Sequence, residues 1–149
     1  MRLIASTAAV LFLLAPAAHA QQTAQLIVGE WHCSAPAGDI VSAGPMVYKA
    51  DGTSTFDQTV TGKVEGMDLM VRLTGNATWK IEDNGQLTDH ILEANAVAGT
   101  IDGKPLPESV LLAFADEVLA NGLSTSDFTV GAHEMMISDG EGGGSSCKR

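Results

Sequence analysis

The longest regular pattern in the chain runs from Leu69 to Ile81, where apolar and polar side chains alternate. Leu69, Val71, Leu73, Gly75, Ala77, Trp79 and Ile81 fall on one side; Met70, Arg72, Thr74, Asn76, Thr78 and Lys80 fall on the other. Period-two alternation sustained this far predicts an antiparallel strand with one face in a core and one in water, and Gly75 marks where it can bend. Shorter candidates, each bounded by Gly, Asp or Pro, are Leu26 to Cys33, Pro45 to Ala50, Ser54 to Val64, Leu87 to Glu93, Ala96 to Ile101 and Phe128 to Ser138. Short strands with tight connections predict a mainly β domain, a barrel or a sandwich. The interior set is Trp31, Tyr48, Phe56, Leu69, Val71, Leu73 and Trp79, few and aromatic-poor for a wide cavity, and an ordinary packed core fits them as well as a hollow one.

Between two strands lies Glu82-Asp83-Asn84-Gly85-Gln86, a hairpin signal whose turn sets the register. A two-residue turn at Asn84-Gly85 turns Thr88, His90 and Leu92 inward. A three-residue loop closed by Gly85 with a bulge turns Leu87, Asp89 and Ile91 inward, and is favoured because it buries Leu87 and Ile91. Either register puts a titratable side chain, Asp89 or His90, near Trp79 on the interior side, where an ionised group is costly without a partner.

One segment changes period. From Pro107 to Asn121, Leu111, Phe114, Ala115 and Val118 recur at helical spacing, with Pro107 and Glu108 suited to the start and Gly122 to the stop. This amphipathic helix precedes the last predicted strand. It could be a fixed plug or a lid over a cavity, and the apolar stripe fits both. Asp139 to Ser146, rich in Gly and Ser, reads as a locally flexible tail tethered by Cys147.

Residues Met1 to Ala20 carry a short basic start at Arg2, an apolar run from Val10 to Leu14 and a small-x-small ending at Ala18-His19-Ala20, the layout of a cleavable signal peptide. The expected organisation is a signal peptide over 1–20 and a single domain over 21–149, exported to the periplasm or secreted, without membrane insertion and monomeric. The chain has 149 residues, 8 basic and 18 acidic side chains and a formal net charge of −10. So acidic a chain lacks the basic patch that nucleic acid requires, and its charge suits solubility or a basic protein partner.

After the signal segment the cysteines are Cys33 and Cys147. In an oxidising compartment they are expected to pair, which brings the first and last strands side by side.

Gly29-Glu30-Trp31 resembles the Gly-x-Trp signature that opens lipocalins and their bacterial lipocalin-like, calycin-type relatives. Tyr48-Lys49-Ala50-Asp51-Gly52-Thr53 resembles the hairpin that often follows it. The resemblance implies an antiparallel up-and-down barrel whose Trp31 closes the base under an Arg near the last strand. The cysteine pairing points the same way: with Cys33 opposite Cys147 on antiparallel strands, Trp31 lies beside Arg149, a favourable cation over an indole face. The chain departs from the pattern in placing its helix before the final strand rather than after it.

No catalytic constellation is present. His32, His90 and His133 stand singly, without the spacing that puts two metal ligands on one element, and there is no nucleophile elbow. Neither an enzyme, a metal site nor a cofactor is expected. The leading expectation is a lipocalin-like protein binding a small apolar or amphipathic ligand, with Tyr48, Phe56, Trp79 and either Asp89 or His90 at the ligand. The alternative is a periplasmic protein-binding module, an inhibitor or envelope accessory, with a solid core.

Overall fold

The computed structural model describes residues 16–140 and 142–149, the side chains of 16–20 excepted. The expected signal segment therefore lies outside the described residues as far as residue 15, and residues 16–20 begin a helix. Among the described residues the chain forms α1 (Pro16–Ile27), β1 (Gly29–Ala37), β2 (Ile40–Tyr48), β3 (Thr53–Val64), β4 (Met67–Ile81) and β5 (Leu87–Ile101). There follow β6 (Lys104–Pro105), α2 (Glu108–Ala120), β7 (Leu123–Val130), β8 (Glu134–Ser138) and β9 (Gly144–Lys148). Neither helix is long and apolar enough to cross a membrane.

The strands make one antiparallel sheet in the order β4-β3-β2-β1-β9-β8-β7-β5-β6, and a further pairing of β4 with β5 closes the hydrogen bonding into a ring, with β6 attached outside it. One arc of the ring is not strand on strand. β7 pairs with β5 only at Leu87–His90, and α2 packs against β5 beyond it. The α2 end is fixed there by the Ile91 amide, which donates to the Gly122 carbonyl at 2.8 Å.

The alternation from Leu69 to Ile81 is β4, paired with β5 throughout and with β3 as far as Thr78. The two candidate strands Leu87 to Glu93 and Ala96 to Ile101 are joined in β5. It is one strand with two register shifts opposite Arg72/Leu73 and Asn76/Ala77, where Leu92 and Val97 have no partner on β4 and stand about half exposed. Each extra residue flips the phase, so the residues opposite the inward side of β4 run Leu87, Asp89, Ile91, then Ala94 and Ala96, then Gly99 and Ile101. Gly75 is where Phe56 crosses: a Cβ there would run into the Phe56 ring and the Glu93 carbonyl.

Other sequence expectations are corrected. The strand expected from Phe128 to Ser138 is a hairpin, the end of β7 paired with β8 across residues 131–133. Leu26 and Ile27 end a helix rather than start a strand. The helix at 108–120 is followed by three strands, not one, and is not the only helix. The Gly/Ser-rich tail ends in β9, whose Ser145, Ser146 and Cys147 pair with Ile137, Met136 and Met135. Composition reads as flexibility there, whereas the ladder to β8 on one side and to β1 on the other sets the backbone.

Candidate functional site

At one end the ring is solid. Trp31, Tyr48, Ile27, Trp79, Leu87, Met135 and the disulfide form one buried cluster. Cys33 and Cys147 are directly paired across β1 and β9 and bonded, with Cα atoms 3.9 Å apart. Two residues on, the Arg149 guanidinium carbon lies 4.1 Å from the centre of the Trp31 ring. The same guanidinium donates to the carbonyls of Leu26 at 2.8 Å, Val28 at 3.0 Å and Ala132 at 2.8 Å, while the Trp31 indole N–H donates to Ile27 at 2.7 Å. The arginine therefore joins the end of α1 to the β7–β8 connection over the tryptophan. Gly29 has φ +135°, and a Cβ on it would come within 2.8 Å of Arg149 Nη1, so the glycine of Gly-Glu-Trp is where the arginine lies against the backbone.

At the other end Val60, Val71 and Leu73 are buried beneath Leu106, Leu111, Phe114 and Val118, the inner stripe of α2 and the residue leading to it. Between the two clusters the interior is not filled. A mostly apolar cavity of about 460 Å³ is lined from β2 by Met46 and Tyr48, from β3 by Phe56, Gln58 and Val60, and from α2 by Phe114 and Val118. The helix is thus the roof of a cavity, placed over the arc that β7 leaves unpaired.

The hairpin register decides which titratable group faces this space. Ile81 pairs with Leu87, Trp79 with Asp89 and Ala77 with Ile91, and the loop between is closed by the Glu82 amide donating to the Gln86 carbonyl at 2.8 Å with Gly85 at φ +85°. This is the bulged three-residue loop. Asp89 accordingly lines the cavity. His90 is exposed on the opposite face, beside Thr78, Lys80 and Thr125, and is not at the cavity.

Of the other expected ligand residues, Tyr48 and Phe56 line the cavity, and Trp79 does not. The Trp79 indole N–H donates to the carbonyls of Lys49 and Thr53, both at 3.1 Å, and its ring meets that of Tyr48 edge-on, centres 5.7 Å apart. It belongs to the packed end and ties β4 to the β2–β3 turn. Gln58 escaped the sequence reading, although its signal was there as a polar residue in phase with Ser54, Phe56 and Val60. Its amide donates to the carbonyls of Gly44 at 3.0 Å and Pro45 at 3.3 Å.

Asp89 stands apart electrostatically. Its Oδ1 is buried with no hydrogen-bond partner, and burial pushes its carboxyl from the usual 3.8 up to about 6. Burial, with the Asp89 charge second, also drives the Tyr48 phenol above its ordinary range, so it stays protonated. No group of three or more His, Cys, Asp and Glu side chains suited to a metal occurs among the described residues. Neither any protein-family model nor any curated protein matches the chain.

Proposed function

We propose that the closed sheet is a lipocalin-like barrel and that the protein, exported to the periplasm or beyond, binds a small apolar or amphipathic ligand in its interior. The observation that carries this reading is the cavity of about 460 Å³ between the packed end and α2, within the size range of small-molecule sites. The wall suits the chemistry: Met46, Phe56, Val60, Leu73, Phe114 and Val118 offer apolar surface, and Tyr48, Gln58 and Asp89 offer a few polar points. The disulfide fits an oxidising compartment. The unfilled interior favours this reading over a protein-binding module with a solid core.

The test is a native mass spectrum of the protein purified from its own envelope or culture medium, for wild type and for Ser42→Phe. Ser42 is half-buried on the cavity wall, and a phenyl ring there occupies ligand space. A discrete extra mass on the wild type that is lost on denaturation and is absent from a folded Ser42→Phe protein is the expected result. A bare wild-type mass, with no uptake of decanol or other apolar probes on titration, would overturn the reading.

A further inference from the structure

A purely apolar ligand leaves one cavity group unsatisfied. Among the described residues Asp89 is the only carboxylate on the wall, and no Lys, Arg or His lines it. Two of the neighbouring polar groups, Gln58 and Asn121, are engaged elsewhere. Gln58 bonds the β2 backbone and accepts from the Ser42 hydroxyl at 3.4 Å. The Asn121 amide donates to the Glu117 backbone and side-chain oxygens at 3.0 and 2.8 Å. Across the sheet Asp89 pairs with Trp79, whose N–H is already directed at Lys49 and Thr53, and with Ser124. Asp89 thus lines the open space with a carboxylate whose Oδ1 is buried and has no hydrogen-bond partner. A buried charge is tolerated only when paired and hydrogen-bonded, so what enters this space is selected by what it brings to that carboxylate.

We propose that the ligand is an amphipathic amine, whose protonated ammonium group bonds the Asp89 carboxylate while its apolar body lies against Met46, Phe56, Val60, Leu73 and Phe114. This deepens the ligand-binding reading and rests on it. An ammonium supplies both the missing donor and the missing countercharge. An alcohol supplies the donor alone. A carboxylate or phosphate brings a second negative charge into a site that holds no cation, so anionic amphiphiles are excluded at neutral pH. The titratable group that faces Asp89 across the cavity is Tyr48 from β2, which stays neutral. From the C-terminal end of α2 and from β7 the facing polar groups are the capping residue Asn121 and Ser124, neither of which titrates. Asp89 alone therefore sets the charge of the site, and because burial pushes it up to about 6, that charge is present at neutral pH and lost in mild acid.

Isothermal titration of decylamine, decanol and decanoic acid tests the assignment, since the three share a chain and differ in the head group. For wild type at about pH 7.5, decylamine is expected to bind at least about tenfold more tightly than decanol, as a charge-assisted bond warrants, with decanoic acid weakest. Asp89→Asn should remove that preference while leaving decanol affinity within about twofold, and wild type at about pH 5 should lose most of it without any mutation. Ser42→Phe should abolish binding of all three, separating cavity binding from adsorption to the acidic surface. Decanol binding as tightly as decylamine, or an amine preference that persists in Asp89→Asn and at low pH, would overturn the amine assignment and leave the binding reading standing. If none of the three binds, the binding reading falls and this one with it.

Discussion

The two ends of the strand ring close in opposite ways. At the Trp31 end every route across the ring is fastened: a disulfide between the first and last strands, an arginine bonded to three carbonyls from two separate segments, and an indole N–H satisfied on the end of α1. At the α2 end closure rests mainly on apolar contact, with Leu111, Phe114 and Val118 laid over Val60, Val71 and Leu73 and backbone hydrogen bonds at its margins from Ile91 to Gly122 and from Leu106 to Gly99, and the lining is left short of filling the space. Specific, directional bonds make the first end a fixed floor. Nondirectional burial makes the second a roof that holds the cavity without occupying it.

The largest effect that sharpens this contrast should come from the floor. Cys33 and Cys147 are 114 residues apart, so reducing the bond or replacing both residues by Ala releases a long loop in the unfolded chain and should cost about 4 to 5 kcal/mol of stability by loop-closure entropy. Denaturant unfolding with and without reductant measures it. The cavity wall is built mainly from β2 to β5 and α2, with Cys33 as a lining residue from the floor, so reduction, which leaves that side chain in place, should leave the folded protein able to take up an apolar ligand. A reduced protein that stays folded yet loses ligand uptake would show that the two ends are not independent.

The second effect is of opposite sign and belongs to the cavity. Asp89 has a higher proton affinity in the folded protein, about 6, than in the unfolded chain, near 3.8. Between those values the native state binds more protons than the unfolded state, so this residue's contribution falls as pH rises through the window and is fully unfavourable above it. The two values correspond to a penalty of up to about 3 kcal/mol at neutral pH. Asp89→Asn removes the charge but keeps a buried polar group, so it should stabilise the ligand-free protein by about 1 to 2 kcal/mol at neutral pH and by nearly nothing at about pH 4. Urea unfolding of both proteins across that range checks the sign, and a variant less stable than wild type at neutral pH would contradict it. A group that lowers stability where it stands is what a ligand contact, rather than a structural contact, is expected to look like.

The floor was far more legible in the sequence than the roof. β4 announces itself because it is paired on both sides over most of its length and its inward side stays in phase. The cysteine register then placed Arg149 beside Trp31 by counting alone. β5 was harder, because a bulge moves the inward side by one residue and destroys the alternation that reveals a strand. The start of β7 and all of β9 were hidden for another reason. Ser124, Thr125 and Ser126, and Ser145 and Ser146, are small and polar, and their strand character comes from the partners they meet rather than from any pattern of their own. The candidate site was half visible. The hairpin showed that Asp89 or His90 must face inward, and the bulged loop selects Asp89. The cavity itself leaves no mark in a sequence, because empty volume depends on how far apart β2, β3 and α2 stand, and Trp79 was drawn into the ligand set for being inward when its N–H is in fact committed to the β2–β3 turn.

The smallest predicted effect dissects the floor. Arg149→Ala removes three charge-assisted hydrogen bonds and the contact with Trp31, but the guanidinium is solvent-exposed, so the cost should be about 1 to 2 kcal/mol rather than the sum of its parts. Arg149→Lys should recover less than half of this, since a point charge cannot span Leu26, Val28 and Ala132 as a planar fork does. Gly29 gives the matching half of a double-mutant cycle. Gly29→Ala carries two penalties, the φ of +135° that only glycine adopts with ease and the collision of its Cβ with Arg149 Nη1. In an Arg149→Ala background the collision disappears while the backbone penalty stays, so Gly29→Ala should cost measurably less there than in wild type. Equal costs in the two backgrounds would mean that the glycine serves the backbone alone, and that the arginine found its place over Trp31 without needing the room.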